Sequence, residues 1–88
     1  MKAVVTVMGI DRPGIIAKVS NSLFENGVNI LDINQTIMQD IFTMVMLVKM
    51  GEKTDFSVVV SDLEKIGEEI GVDIRAQNEE IFNSMHRI

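Results

Sequence analysis

Cysteine, tryptophan and tyrosine are absent from this 88-residue chain, and proline and histidine occur once each, as Pro13 and His86. Without thiols there is no disulfide, no thiolate nucleophile and no zinc–thiolate site. The lone histidine stands near the C-terminus, where it reads as a solvated tail residue and not as half of an acid–base pair. Positive charge is also sparse. Eight Lys and Arg against thirteen Asp and Glu leave a net charge of −5. Nucleic-acid binders gain affinity by neutralising phosphates with clustered cations and by stacking bases on aromatic rings. The basic residues here are scattered, so direct nucleic-acid binding is not expected. Long apolar runs are missing too. The longest, Ile41–Val48, falls far short of the ~20 residues that cross a bilayer. The stretch from Met1-Lys2 to Asp11 is too short for a secretion signal. A soluble, cytoplasmic protein with no membrane contact is expected.

What the chain has is one domain's worth of ordinary globular composition, 47% hydrophobic and 24% charged. A domain this small buries only about 60–65% of the surface its unfolded chain exposes, and it gains from a partner subunit. A weak internal repeat organises it. Glu25-Asn26-Gly27-Val28-Asn29-Ile30 echoes Glu69-Ile70-Gly71-Val72-Asp73-Ile74, with the two glycines 44 residues apart. Each copy reads as a helix end followed by a strand start, with glycine in the left-handed position past the helix.

The segments ahead of each copy have helical period. In Gly14–Asn26, Ile15, Ile16, Val19 and Leu23 fall in one stripe opposite Lys18, Asn21, Ser22 and Glu25. In Asp55–Ile70 the stripe is Phe56, Val59, Val60, Leu63, Ile66, Gly67 and Ile70, with Thr54 as the expected N-cap. The carboxylates Asp62, Glu64, Glu68 and Glu69 occupy its other face, which reads as solvated surface. β-rich runs flank both helices: Lys2–Met8, Val28–Met38, Phe42–Met50 and Val72–Gln77, with Gln39-Asp40 turning between the middle two. The order βαββαβ predicts an α+β, ferredoxin-like sandwich. It has a four-stranded antiparallel sheet, two helices on one face and a short C-terminal helix. The domain is expected over residues 1–79, with 80–88 as a helical extension.

The third strand is apolar on both sides. Phe42, Met44, Met46 and Val48 point one way, and Ile41, Val45 and Leu47 the other. A half-exposed strand would alternate with polar residues. A second subunit, the tail stripe Ile81, Met85 and Ile88, or simply an apolar surface would each account for the second face.

The loop Gly9-Ile10-Asp11-Arg12-Pro13-Gly14 joins the first strand to the first helix. Pro13 presets φ for a helix start, and Gly14 lets backbone or ligand approach. The N–H groups of a helix start suit a carboxylate or phosphate. The residues alone leave two readings open: an anion seat, or a turn shaped by glycines and capped by Asp11.

Asp11-Arg12-Pro13-Gly14-Ile15-Ile16-Ala17, followed by Gly27-Val28-Asn29-Ile30, resembles the signature of ACT domains, small βαββαβ regulatory modules that bind amino acids. Asp32-Ile33, Gln35 and Phe42-Thr43-Met44 extend the likeness to stand-alone single-domain members of bacteria and archaea. The resemblance implies a regulatory function and a ligand of amino-acid class held between two subunits of a homo-oligomer, a dimer first. The implied contacts are Asp11, Arg12, Pro13, Gly14 and Ile15 from one subunit, and Asn29 and Ile30 from its neighbour. Asn29 has a plainer reading as a polar residue beside a turn. Serine-sensing members carry a histidine where this chain has Gly9, so serine specificity is not implied. The alternative is an interaction module that oligomerises or docks on an enzyme or regulator without a ligand.

No catalytic residue, metal ligand or cofactor is nominated. Among ferredoxin-like relatives, metal chaperones need cysteines, RNA-recognition modules need strand aromatics, and acylphosphatases need a glycine-rich anion loop with a committed arginine. A single subunit is also a poor binder. A carboxylate at a helix start gains about 0.3–1 kcal/mol, ~2 when partly buried, against about 8 kcal/mol for micromolar binding. A useful site needs closure by a second chain, which the sequence reading ties to the apolar second face of the sheet.

Overall fold

The computed structural model describes residues 1–80. The elements run β1 (Lys2–Ile10), α1 (Ile15–Glu25), β2 (Asn29–Met38), β3 (Ile41–Lys49), α2 (Phe56–Ile70) and β4 (Val72–Asn78). The four strands form one antiparallel sheet in the order β2-β3-β1-β4. This is the expected βαββαβ sandwich. Ile81, Met85, Ile88 and His86, and with them the expected tail helix, lie outside the described residues.

Alternation along the strands decides what is buried. Ala3, Val5 and Val7 of β1 and Phe42, Met44, Met46 and Val48 of β3 share one face with Val72 and Ile74 of β4. There they meet Ile15, Val19 and Leu23 of α1 and Val59 and Leu63 of α2. Each fully buried large apolar side chain contributes about 1.5–3 kcal/mol. On the opposite face Met8, Ile10, Met38, Ile41 and Val45 are exposed, whereas Val4 is buried.

Gly27 and Gly71 both take positive φ, +73° and +74°. They end α1 and α2 as the repeat predicts, because the left-handed region carries no Cβ penalty for glycine. The cap of α2 differs from expectation by one residue. Asp55, not Thr54, is the N-cap, and its carboxylate accepts from the Ser57 N–H at 2.9 Å and the Ser57 hydroxyl at 2.7 Å. The Thr54 hydroxyl is used elsewhere. It donates to the Asn26 carbonyl at 2.9 Å and accepts from the Gly51 N–H at 3.1 Å, tying the loop before α2 to the turn after α1.

The Ser57 hydroxyl, and then the Ser57 N–H, hold the Asp55 carboxyl below its ordinary pKa. A depressed carboxyl stabilises the fold above its unfolded pKa of about 3.9, and that contribution fades as pH falls through the folded value. Asp55→Ala is therefore expected to lower the melting temperature at pH 7. The gap to the parent protein should close below about pH 4, read from melting curves across pH. A gap that stays constant through that range would contradict the cap.

Candidate functional site

Between β1 and α1 the chain must turn from sheet to helix within four residues. Two anchors hold the turn. The Asp11 N–H donates to the Asp40 carbonyl at 2.9 Å, fastening the loop to the β2–β3 hairpin. The Arg12 guanidinium lies over Gly71, its atoms 3.6 Å from where a Cβ on that glycine would stand. The positive charge is thus placed at the C-terminal end of α2, where helix carbonyls favour it. Pro13 precedes Gly14, which is the N-cap of α1 with φ +87°. Among the described residues no side chain caps this helix, Asp11 included. The N–H groups of its first turn have no partner within the helix and remain available to an acceptor.

A cavity of about 270 Å³ opens beside this turn. It is lined by Asp11, Arg12 and Gly14 of the loop, Ile15, Ile16 and Ala17 of α1, Gln35 and Ile37 of β2, and Phe42 of β3. Its floor is apolar, and Asp11, Arg12 and Gln35 supply the polar groups. The loop residues expected from the sequence are therefore gathered at one place. Asn29 and Ile30 are not with them. Asn29 pairs with Lys49, which pairs with Lys2, whereas the loop follows Ile10 at the other end of β1. The separation is the length of a strand, roughly 26 Å for eight steps at about 3.3 Å each.

Gln35, Ile37, Phe42, Ile16 and Ala17 were not expected as site residues. For the β2 residues this depends on the side on which the strand carries its side chains, which a register shift between Ile30 and Asp32 decides. Ile33, Gln35 and Ile37 pair with Met46, Met44 and Phe42, so they share the helix-bearing face. The cavity therefore lies on the helix side of the sheet. Covering the open sheet face, which the sequence reading linked to closure, would leave it untouched.

A different surface borders the cavity. β2 is an edge strand, and α1 leaves its helix-side residues uncovered: Ile33 is 43% exposed and Ile37 54%. On α1, Ile16 is also exposed and Phe24 is 79% exposed. Ile16, Ser20 and Phe24 recur every four residues along one side of the helix, as neighbours on a face do. Together with the unpaired edge of β2 they make an apolar band running from the cavity along the molecule.

Gly9 has a packing reason of its own. A Cβ there would stand 2.7 Å from Val72 Cγ1 and 3.1 Å from the Val72 Cα. The space that a side chain at position 9 would need is occupied by Val72.

The fold and the loop define a small βαββαβ module. Residues 2–77 match the ACT domain family, and the chain belongs to it. It is 55% identical over 86 residues to a UPF0237 protein of Methanococcus maripaludis, covering 97% of this chain and 96% of that one. Among solved structures it is similar to an ACT domain protein from Streptococcus pneumoniae. That likeness has a TM-score of 0.82, 43% identity and 93% of each chain covered. It is also similar to the ligand-free regulatory subunit of aspartate kinase from Thermus thermophilus. There the TM-score is 0.68 and the identity 29%, over 86% of this chain and 50% of the other.

Proposed function

We propose that this protein is a small-molecule sensor that binds an amino acid or a close relative of one in a crevice completed by a second copy of the chain. The observation that carries the reading is the position of the cavity. Its lining includes Ile16 and Ile37, which also belong to the uncovered band of α1 and β2. In a two-fold pairing across the β2 edges, the strands run antiparallel and the start of one β2 meets the end of the other. The partner's Asn29 and Ile30 would then reach the loop that holds Asp11–Ile15. The band of Ile16, Phe24, Ile33 and Ile37 would be hidden in the same step.

The residues suit a zwitterion. The unpaired N–H groups at the start of α1 offer donors to a carboxylate, Asp11 accepts from an amino group, and Asn29 both donates and accepts. The aspartate kinase relative, a regulatory subunit described free of ligand, supports a regulatory role over a catalytic one. The output would pass to an enzyme or regulator in the cytoplasm through the assembled dimer.

Calorimetry against the twenty amino acids tests the reading. Saturable binding by one or a few is expected. Asp11→Ala and Asn29→Ala should each weaken that binding by about tenfold, the loss of one charge-assisted or neutral hydrogen bond to the ligand. A flat response at millimolar ligand would contradict it. One observation favours a second reading, an interaction module without a ligand: Val72 fills the space beside Gly9, where serine-sensing members are expected to carry a histidine.

A further inference from the structure

β2 carries one irregularity, and it decides what the cavity contains. The register of β2 against β3 shifts between Ile30 and Asp32, so Leu31 is an extra residue in the strand. Before the bulge, Ile30 pairs with Val48 on the helix-bearing face. After it, the residues on that face are Ile33, Gln35 and Ile37. In an unbroken strand the period of two would have continued Ile30, Asp32, Asn34, Thr36 and Met38 on that side. The inserted residue therefore sends Asp32, Asn34 and Thr36 to the open face and turns Gln35 into the cavity. Re-aiming a side chain next to a functional site is a recurrent use of bulges.

Gln35 is exposed on the uncovered edge strand and lines the cavity. It is a carboxamide between Ile33 and Ile37, on a stretch whose other helix-side residues are apolar. Among the hydrogen bonds of the described residues none uses its side chain. While the edge is open, water satisfies the amide. Once the band is covered, an unpartnered amide would be penalised.

We infer that Gln35 selects the ligand, and that the ligand is an amino acid whose side chain ends in a neutral group able to donate and accept a hydrogen bond, a carboxamide first. This rests on the sensing reading above. A carboxamide ligand presents C=O and NH₂ to the NH₂ and C=O of Gln35, so both groups are paired at once. A side-chain carboxylate leaves the Gln35 carbonyl without a donor and adds negative charge to a cavity that Asp11 also lines. An aliphatic side chain leaves both halves of the amide bare.

Calorimetry of the intact protein with asparagine and glutamine, set against aspartate, glutamate and leucine, tests the inference. The amides are expected to bind at least about tenfold tighter than the acids and leucine, the discrimination of a site whose polar groups go unpaired with the wrong ligand. In Gln35→Leu that preference should vanish through loss of amide affinity, with leucine affinity kept or raised. Gln35→Glu, closest in shape, should also lose it, and melting curves of both variants show whether they are folded. An amide preference that survives Gln35→Leu overturns the inference. Binding with no amide preference in the parent protein overturns it too and leaves the sensing reading standing. No binding by any amino acid removes both.

Discussion

Gly9→His is expected to destabilise the fold by about 3 kcal/mol or more, the upper range for forcing a side chain into a filled interior. Gly9 is the β1 residue paired with both Phe42 and Val72, and both of these are buried. A Cβ at position 9 would meet Val72 Cγ1 at 2.7 Å and Cβ at 3.0 Å, and the Val72 Cα at 3.1 Å. A rotamer change can move the first of these atoms but not the other two. The sheet itself would have to spread, and a small domain has only about 5–15 kcal/mol of stability in all. Gly9→Ala should be milder, and adding Val72→Ala should restore part of its loss by removing the nearest contact. Urea unfolding measures each. Gly9→His within about 0.5 kcal/mol of the parent protein, the range of an uneventful surface change, would mean that Val72 does not fill this space. An imidazole at position 9 would need Val72 to give way.

The second large effect concerns assembly. Ile37→Asp is expected to weaken self-association by about 100-fold or more. Burying an isoleucine is worth about 1.5–3 kcal/mol, a two-fold interface contains the residue twice, and a carboxylate facing an apolar band adds a desolvation cost. Since Ile37 also lines the cavity, ligand binding should fall with it. Val45→Asp serves as the contrast. Val45 is exposed on the face away from the helices, so this change is expected to leave the proposed β2-edge dimer intact. Sedimentation velocity over a dilution series distinguishes the two. An Ile37→Asp protein that associates normally beside a monomeric Val45→Asp protein would place the contact on the open face instead.

Much of the fold was legible because it is written in local periods. The 3.6-residue stripes of α1 and α2, the glycines after them and the repeat that links the halves depend on neighbours in the chain. The left-handed φ of Gly27 and Gly71 follows from the same local rule. The misplaced cap shows where local rules stop. Thr54 and Asp55 are both good caps, and the choice falls to Asp55 because the Thr54 hydroxyl is drawn to Asn26, 28 residues away. The site was half legible for a related reason. The loop announces itself through Asp11, Pro13 and Gly14. The wall made by Gln35 and Ile37 does not, because a single extra residue at Leu31 reverses which side chains face the helices. Alternation read from the sequence gives no sign of such a step. The same step brings Gln35 and Ile37 to the helix side, where the cavity borders α1 and not the face that carries Ile41 and Val45.

The central claim is that two chains share each site, and mixing defective chains tests it most directly. Asp11→Ala and Asn29→Ala proteins are each prepared with weakened binding, then combined in equal amounts under conditions that allow subunits to exchange. With two-fold pairing, a mixed dimer carries one site with both defects and one with neither, so random exchange should restore about a quarter of the parent's sites at full affinity. Calorimetry of the mixture would count them. No restored sites, with subunit exchange independently demonstrated, would mean that Asp11 and Asn29 never meet across the interface.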